Sequence, residues 1–191
     1  MEKPFSQACE NNKNPILEVL KKLQVTGDVL EIGHGTGQHA SYFSKHLPVK
    51  WFPADRKENN WMMESNGNNL HSPIAFEVGH LALKKQVDQS FDTVFTANTL
   101  HIMSEKLALK FCREVSDIIK GQGLLVIYGP FKFEGKFTSE SNQEFDNHLK
   151  SKDPLMGIRD FEKIKSGLND FIHLETIAMP ANNFILCFKK K

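Results

Sequence analysis

Apolar residues in this chain fall into short runs separated by segments in which they recur every three or four positions. Ile16, Leu17, Val19, Leu20 and Leu23 keep helical spacing behind Asn14-Pro15, and a proline early in a helix with asparagine as its cap predicts a helix starting there. Residues 28–33 predict a short buried strand. Residues 38–46 predict a helix stopped at Leu47-Pro48, and residues 49–52 a second strand that closes at Asp55. Trp61, Met62 and Met63 predict a short helix inside an Asn- and Gly-rich stretch. Residues 73–78 and 91–97 predict two more strands, with a short helix or loop at 81–89 between them. A helix is expected from Ser104, its cap, to Lys120, with Leu107, Phe111, Val115 and Ile118 on one face and Gly121 ending it. A fifth strand follows at 123–128. Then come a loop at 131–140, helices at 141–151 and 157–169, and strands at 171–178 and 183–188.

Strand and helix thus alternate through five strands, which implies a parallel sheet covered by helices on both faces. The link between the last two strands is too short for a parallel crossover, so they pair antiparallel. This order resembles the S-adenosylmethionine-dependent methyltransferase fold. The resemblance implies an α/β, Rossmann-like class I methyltransferase architecture: a seven-stranded, mostly parallel sheet with a C-terminal antiparallel hairpin, built as one domain over residues 1–191.

Composition removes several functional classes. Apolar residues make up 40% and charged residues 25%, the balance of a globular chain. A formal net charge of +1 gives no general field for nucleic acid or an acidic membrane. Cys9, Cys112 and Cys187 are odd in number and far apart, which argues against a disulfide framework or a zinc site; no metal is expected. No apolar run approaches the ~18 residues of a membrane span, and the first residues lack the apolar stretch of a signal peptide. The expectation is a cytoplasmic protein without membrane or nucleic-acid partners, monomeric or homodimeric.

The chemistry concentrates in Glu31-Ile-Gly33-His-Gly35-Thr-Gly37, at the end of the first strand. Alternate glycines permit positive φ and close approach of a ligand to backbone, and the end of a parallel strand is where open α/β sheets bind ligands. The GxGxG spacing departs from the dinucleotide fingerprint, and no Gly-Lys-Ser/Thr follows as in a phosphate loop. Glu31 would repel a pyrophosphate and suits the cationic methionine end of S-adenosylmethionine. Asp55 closes the second strand and is read either as the acceptor for both ribose hydroxyls or as a cap or ion pair with Arg56. Glu77 and Val78 lie where adenine would sit, and are read either as meeting the adenine edge, through Glu77 or a nearby backbone amide, or as a solvated loop. Asn98 and His101 follow the fourth strand beside the sulfonium position, His101 as a general base or a helix cap. Tyr128 ends the fifth strand and either lines the methyl site or packs.

The whole chain further resembles a family of short methyltransferase-like proteins. The resemblance rests on Glu10–Leu17, Leu30-Glu-Ile with Gly35-Thr-Gly-Gln-His-Ala40, Ala97-Asn98 with His101-Ile102, and Tyr128-Gly-Pro-Phe131. It continues through Ser141-Asn142, Phe145-Asp146, Gly157-Ile-Arg-Asp160 and Met179-Pro-Ala-Asn-Asn183. Family members usually carry Arg at the position of Asn11 and Ala-Ser at Gly33-His34. In this fold the N-terminal segment often covers the cofactor, which brings Asn12 and Lys13 toward its carboxylate. Asn142, Arg159 and Asp160 are candidate substrate contacts, Arg159 with Asp160 either anchoring an anionic substrate or forming a structural ion pair. The resulting expectation is methyl transfer from S-adenosylmethionine to a small molecule; the competing one is a module that binds S-adenosylmethionine or a nucleoside without turnover.

Overall fold

The computed structural model describes residues 5–59 and 69–191, so the helix expected around Trp61 lies outside the described residues. Five parallel strands form one side of a seven-stranded sheet: β1 (Gly27–Ile32), β2 (Val49–Asp55), β3 (Ile74–Ala75), β4 (Phe91–Ala97) and β5 (Ile119–Gly129). Two short strands outside this sheet, β6 (Phe131–Lys132) and β7 (Arg159–Asp160), pair with each other. The hairpin β8 (Phe171–Met179) and β9 (Asn183–Lys190) completes the large sheet, with β9 antiparallel to both β5 and β8. The spatial order is β3-β2-β1-β4-β5-β9-β8.

The central strands are apolar on both faces, as strands buried between two helical layers must be. Along β4, Phe95 packs on the face covered by α1 (Gln7–Lys22) and α2 (Gln38–His46). Its neighbour Val94 packs on the opposite face, beneath α3 (Glu105–Glu114) and α5 (Phe161–Gly167). The remaining α-helix among the described residues, α4 (Glu140–Lys152), lies between β6 and β7 in sequence.

Several boundaries differ from the expectation. Helix α1 begins eight residues before Pro15, with Ser6 as its cap accepting from the Cys9 N–H at 3.3 Å. Its buried stripe is Asn12, Ile16, Leu17 and Leu20. A polar residue heads that stripe, so apolar periodicity shows only the later turns. Helix α3 ends at Glu114, a 3₁₀ turn carries Val115–Ile118, and β5 starts before Gly121. The third strand shrinks to two residues. The segments read as a loop at 131–140 and a helix from 157 supply β6 and β7, so α5 starts only at Phe161, capped by Asp160. Among the described residues no helix is long and apolar enough to cross a membrane.

Candidate functional site

The strand order reverses between β1 and β4, and their carboxyl ends diverge there to leave a crevice. A cavity of about 1110 Å³ fills it. Its walls come from the turn after β1, the end of β2, the loops after β3 and β4, the end of β5, the first turns of α1, α4, and the β8–β9 turn.

Gly33, Gly35 and Gly37 all hold left-handed backbone, at φ 79°, 53° and 71°. A Cβ on Gly33 would lie 2.5 Å from Thr99 Oγ1, whereas one on Gly35 would meet nothing within 4 Å. Gly33 is therefore fixed by packing, and Gly35 presents bare backbone to open space. Both line the cavity; Gly37 instead occupies the N-cap of α2. The Gly35 N–H donates to Asp55 Oδ2 at 2.8 Å, and Asp55 Oδ1 accepts from the Arg56 N–H at 2.7 Å and from Asn59 Nδ2 at 3.0 Å. Arg56 pairs with Glu58. Asp55 thus ties the end of β2 to the glycine turn while lining the cavity, and a carboxylate with three donors retains capacity for another. Glu77 and Val78 also line it; the Glu77 N–H donates to Gln86 Oε1 at 2.7 Å, and Gln86 Nε2 donates back to the Glu77 carbonyl at 2.9 Å.

Glu31 is placed differently from the expectation. Strand alternation puts it on the same face as Val29, beneath α1 and α2, where it is 1% exposed and away from the cavity lining. Its Oε2 accepts from Trp51 Nε1 at 2.7 Å, and Oε1 lies 3.8 Å from His39 Nδ1. Burial, against the favourable Trp51 contact, raises its carboxyl to about 8. Lys13 also stays outside the lining: it pairs with Glu10 and lies over the Tyr42 ring, 4.9 Å from the centroid. Asn12 does reach the cavity. Its Oδ1 is 2.6 Å from His39 Nε2, so a buried polar chain runs from Trp51 through Glu31 and His39 toward the cavity. Burial pushes His39 down to about 4, which makes the neutral ring, with its Nε2–H directed at Asn12, the matching state. Burial likewise raises the Tyr128 phenol.

At the other end, Asn98 takes φ 56°, and its N–H donates to the Tyr128 carbonyl at 2.9 Å. Short polar residues tolerate this left-handed turn. The turn carries His101 into the cavity wall, 6% exposed; the cap of α3 is Ser104, not His101. Burial, aided by the Arg159 charge, lowers His101 to about 4. A Cβ built on Gly129 would lie 3.7 Å from Asn98 Oδ1 and 3.8 Å from His101 Nδ1, so both atoms face the space that this glycine leaves open.

Among the substrate candidates only Asn142 lines the cavity, while its Nδ2 donates to the Asn182 carbonyl at 2.9 Å and to Thr138 Oγ1 at 2.8 Å. Arg159 and Asp160 are engaged by the surrounding backbone, as a structural role requires, though not as the ion pair expected for one. Arg159 Nε donates to the Leu100 carbonyl at 3.1 Å, and its terminal nitrogen donates to the carbonyls of Leu155, at 2.8 Å, and Met103. Asp160 caps α5 and accepts from the Gly135 N–H at 2.6 Å. Neither lines the cavity, and they make no ion pair with each other.

Sequence reasoning missed two groups. Gln38 Oε1 accepts from the Ser6 N–H at 2.6 Å and from Thr36 Oγ1 at 2.9 Å, fastening α1 to the glycine turn. Phe145, Leu155 and Met156 form an apolar wall. Gln38 follows the last glycine of the motif directly, which was an available signal; Leu155 and Met156 carry no pattern that marks them.

The fold matches that of class I S-adenosylmethionine-dependent methyltransferases. Human N-acetylserotonin methyltransferase in complex with SAM superposes with a TM-score of 0.78 at 15% identity, over 96% of this chain and 53% of that one. An O-methyltransferase family protein from Burkholderia thailandensis gives 0.79 at 12% identity, over 96% and 57%. An O-methyltransferase family 2 protein from Planctomyces limnophilus in complex with apigenin gives 0.72 at 13%, over 95% and 62%. The chain therefore spans between about half and three-fifths of the length of these structures. A family model matches residues 3–190, and the chain belongs to that family, DUF938, a family of proteins of unknown function.

Proposed function

We propose that the protein is an S-adenosylmethionine-dependent methyltransferase acting on a small molecule. The observation that carries this reading is the convergence on one cavity of an open glycine turn, the Asp55 carboxylate at the end of β2, and Asn98 and His101 after β4. The residues present fit the group: Gly35 offers backbone beside open space, Asp55 retains acceptor capacity for ribose hydroxyls, and Glu77 and Val78 wall the remaining end. The cofactor, when bound, supplies an electrophilic methyl carbon on a positively charged sulfur.

The protein's own contribution is alignment and proton handling. Asn98 and His101 hold the acceptor's hydrogen-bearing atom above Gly129, which fixes its approach. His101 takes the proton as the acceptor atom becomes more acidic. Tyr128, at the end of β5, closes one wall. As His101 protonates only near pH 4, its ionisation produces no step in rate between pH 5.5 and 7.5.

Titration calorimetry with S-adenosylhomocysteine and with NAD tests the cofactor class. Saturable binding of the first and none of the second is expected; the reverse refutes the reading. Product formation in a screen of small-molecule acceptors, lost in His101→Ala while S-adenosylhomocysteine binding persists, separates an enzyme from a binding module. The weak basicity of buried His101 is the observation that favours the second reading, a binder without turnover.

A further inference from the structure

The cavity divides by chemistry. The half against β1, β2 and β3 is lined by the glycine turn and by the charged residues Asp55, Arg56 and Glu77, Arg56 being paired with Glu58. The half against α4 and the loop after β4 is lined by Ile102, Phe145, Leu155 and Met156 around Asn98 and His101. Ile102 is 51% exposed, Phe145 37% and Leu155 64%, so three of the seven exposed large apolar side chains among the described residues gather at this one rim. A rim of that composition gains from being covered, since each apolar side chain removed from water contributes favourably.

Among the described residues no lysine or arginine lines this half. Arg159 belongs to the segment behind it, and its guanidinium is turned to the carbonyls of Leu100, Met103 and Leu155. The rim carboxylate, Asp153, accepts from the Leu155 N–H at 2.8 Å. An anionic ligand would therefore meet apolar surface and a like charge, with no cationic side chain among the described residues of this half to pair with it. By contrast, Asn98 Oδ1 and His101 Nδ1 both face the gap over Gly129. With His101 neutral, that gap offers the Asn98 oxygen as an acceptor and a ring nitrogen that accepts in one tautomer and donates in the other, a pair that a hydroxyl, which does both, satisfies.

We propose that this half of the cavity is the acceptor site and takes an uncharged molecule with an apolar body and one hydroxyl, the hydroxyl placed between Asn98 and His101 and the body against Ile102, Phe145 and Leu155. The proposal rests on the methyltransferase reading for the other half of the cavity. It excludes carboxylate- and phosphate-bearing acceptors.

The test uses the full chain saturated with S-adenosylhomocysteine. Phenol, 2-naphthol and 2-phenylphenol are titrated in parallel with benzoate, 2-naphthoate and biphenyl-2-carboxylate. At least one alcohol is expected to bind saturably, at least tenfold tighter than its carboxylate partner. Leu155→Ser, a change on exposed surface, should weaken that alcohol three- to tenfold, with S-adenosylhomocysteine binding as the measure of an intact fold. Equal or tighter binding of a carboxylate overturns the proposal, as does an absence of binding by all three alcohols or an unchanged alcohol affinity in Leu155→Ser. Failure of S-adenosylhomocysteine itself to bind overturns the cofactor reading instead, so the two failures are distinguishable.

Discussion

Replacing Glu31 by Gln should make the protein more stable, increasingly so as pH rises. Glu31 is 1% exposed, and burial raises its carboxyl from 4.5 to about 8. A carboxyl raised on folding holds its proton more tightly in the folded state. Its stabilising contribution is complete below the unfolded value and is lost as pH rises toward the folded one. At about 1.4 kcal/mol per pH unit, that distance corresponds to about 5 kcal/mol lost above pH 8 and about 3 kcal/mol lost at pH 7. Glutamine carries no proton to lose and keeps an oxygen for Trp51 Nε1. His39 and His101 act in the opposite direction: burial lowers both to about 4, so their contribution is lost as pH falls from 6.5 toward 4. Comparing variant with parent at each pH cancels His101 and leaves the Glu31 term, with a coupling to His39 because it lies 3.8 Å away. Urea unfolding followed by tryptophan fluorescence from pH 5 to 9 reads this directly, as buried Trp51 touches the substituted side chain. The stability gained by Glu31→Gln should climb through pH 5–8 and then level off. A difference that is flat over that range, or that grows toward acid, refutes the account of Glu31 as a buried, mostly protonated carboxyl.

Gly33→Ala forces a side chain into left-handed backbone and into Thr99, about 2–3 kcal/mol in all, and should lower Tm by about 5–10 °C. Gly35→Ala meets no atom, so it should lower Tm by only about 2–4 °C while weakening S-adenosylhomocysteine binding in calorimetry. Asp55→Asn retains one acceptor oxygen for three donors; binding of S-adenosylhomocysteine should fall at least tenfold, with a loss of about 1–3 kcal/mol in urea unfolding. Arg159→Met leaves three carbonyls without their donor and should cost about 2–4 kcal/mol by the same measurement, whereas a substrate-anchoring role would leave stability unchanged.

The central sheet was legible because its strands are buried on both faces and read as continuous apolar runs. Val29, Leu30 and Ile32 on β1, and Val94 and Phe95 on β4, belong to two separate cores on opposite sides of one sheet. The closing hairpin was legible from loop length alone. The early turns of α1 were hidden because Asn12 occupies the buried stripe, and apolar periodicity carries no mark for a polar residue that faces a cavity. The short strands β6 and β7 were hidden because a two-residue pairing between segments distant in sequence has no period to detect.

Legibility of the site followed the same division between backbone demands and side-chain destinations. Gly33 and Gly35 need positive φ, and that need is written in the sequence as residue type, whatever surrounds them. That Asp55, Asn98, His101 and Tyr128 line the cavity was legible from position, since they end or follow parallel strands whose carboxyl ends border the crevice. A polar side chain one residue further back obeys the strand's alternation instead. Glu31 precedes Gly33 by two positions, still inside β1, and so shares the inward face of Val29. The sequence left Arg159 open between anchoring an anion and a structural role for a related reason. A charged residue near a cavity suggests an anion site, but what a guanidinium binds depends on which acceptors lie around it, and the carbonyls of Leu100, Met103 and Leu155 belong to loops whose course no local pattern reveals. That engagement bears on the acceptor site itself. By drawing the loop after β4 and the segment after α4 onto one side chain, Arg159 sets the spacing of the wall that carries Ile102 and Leu155, while keeping its charge out of the space they enclose.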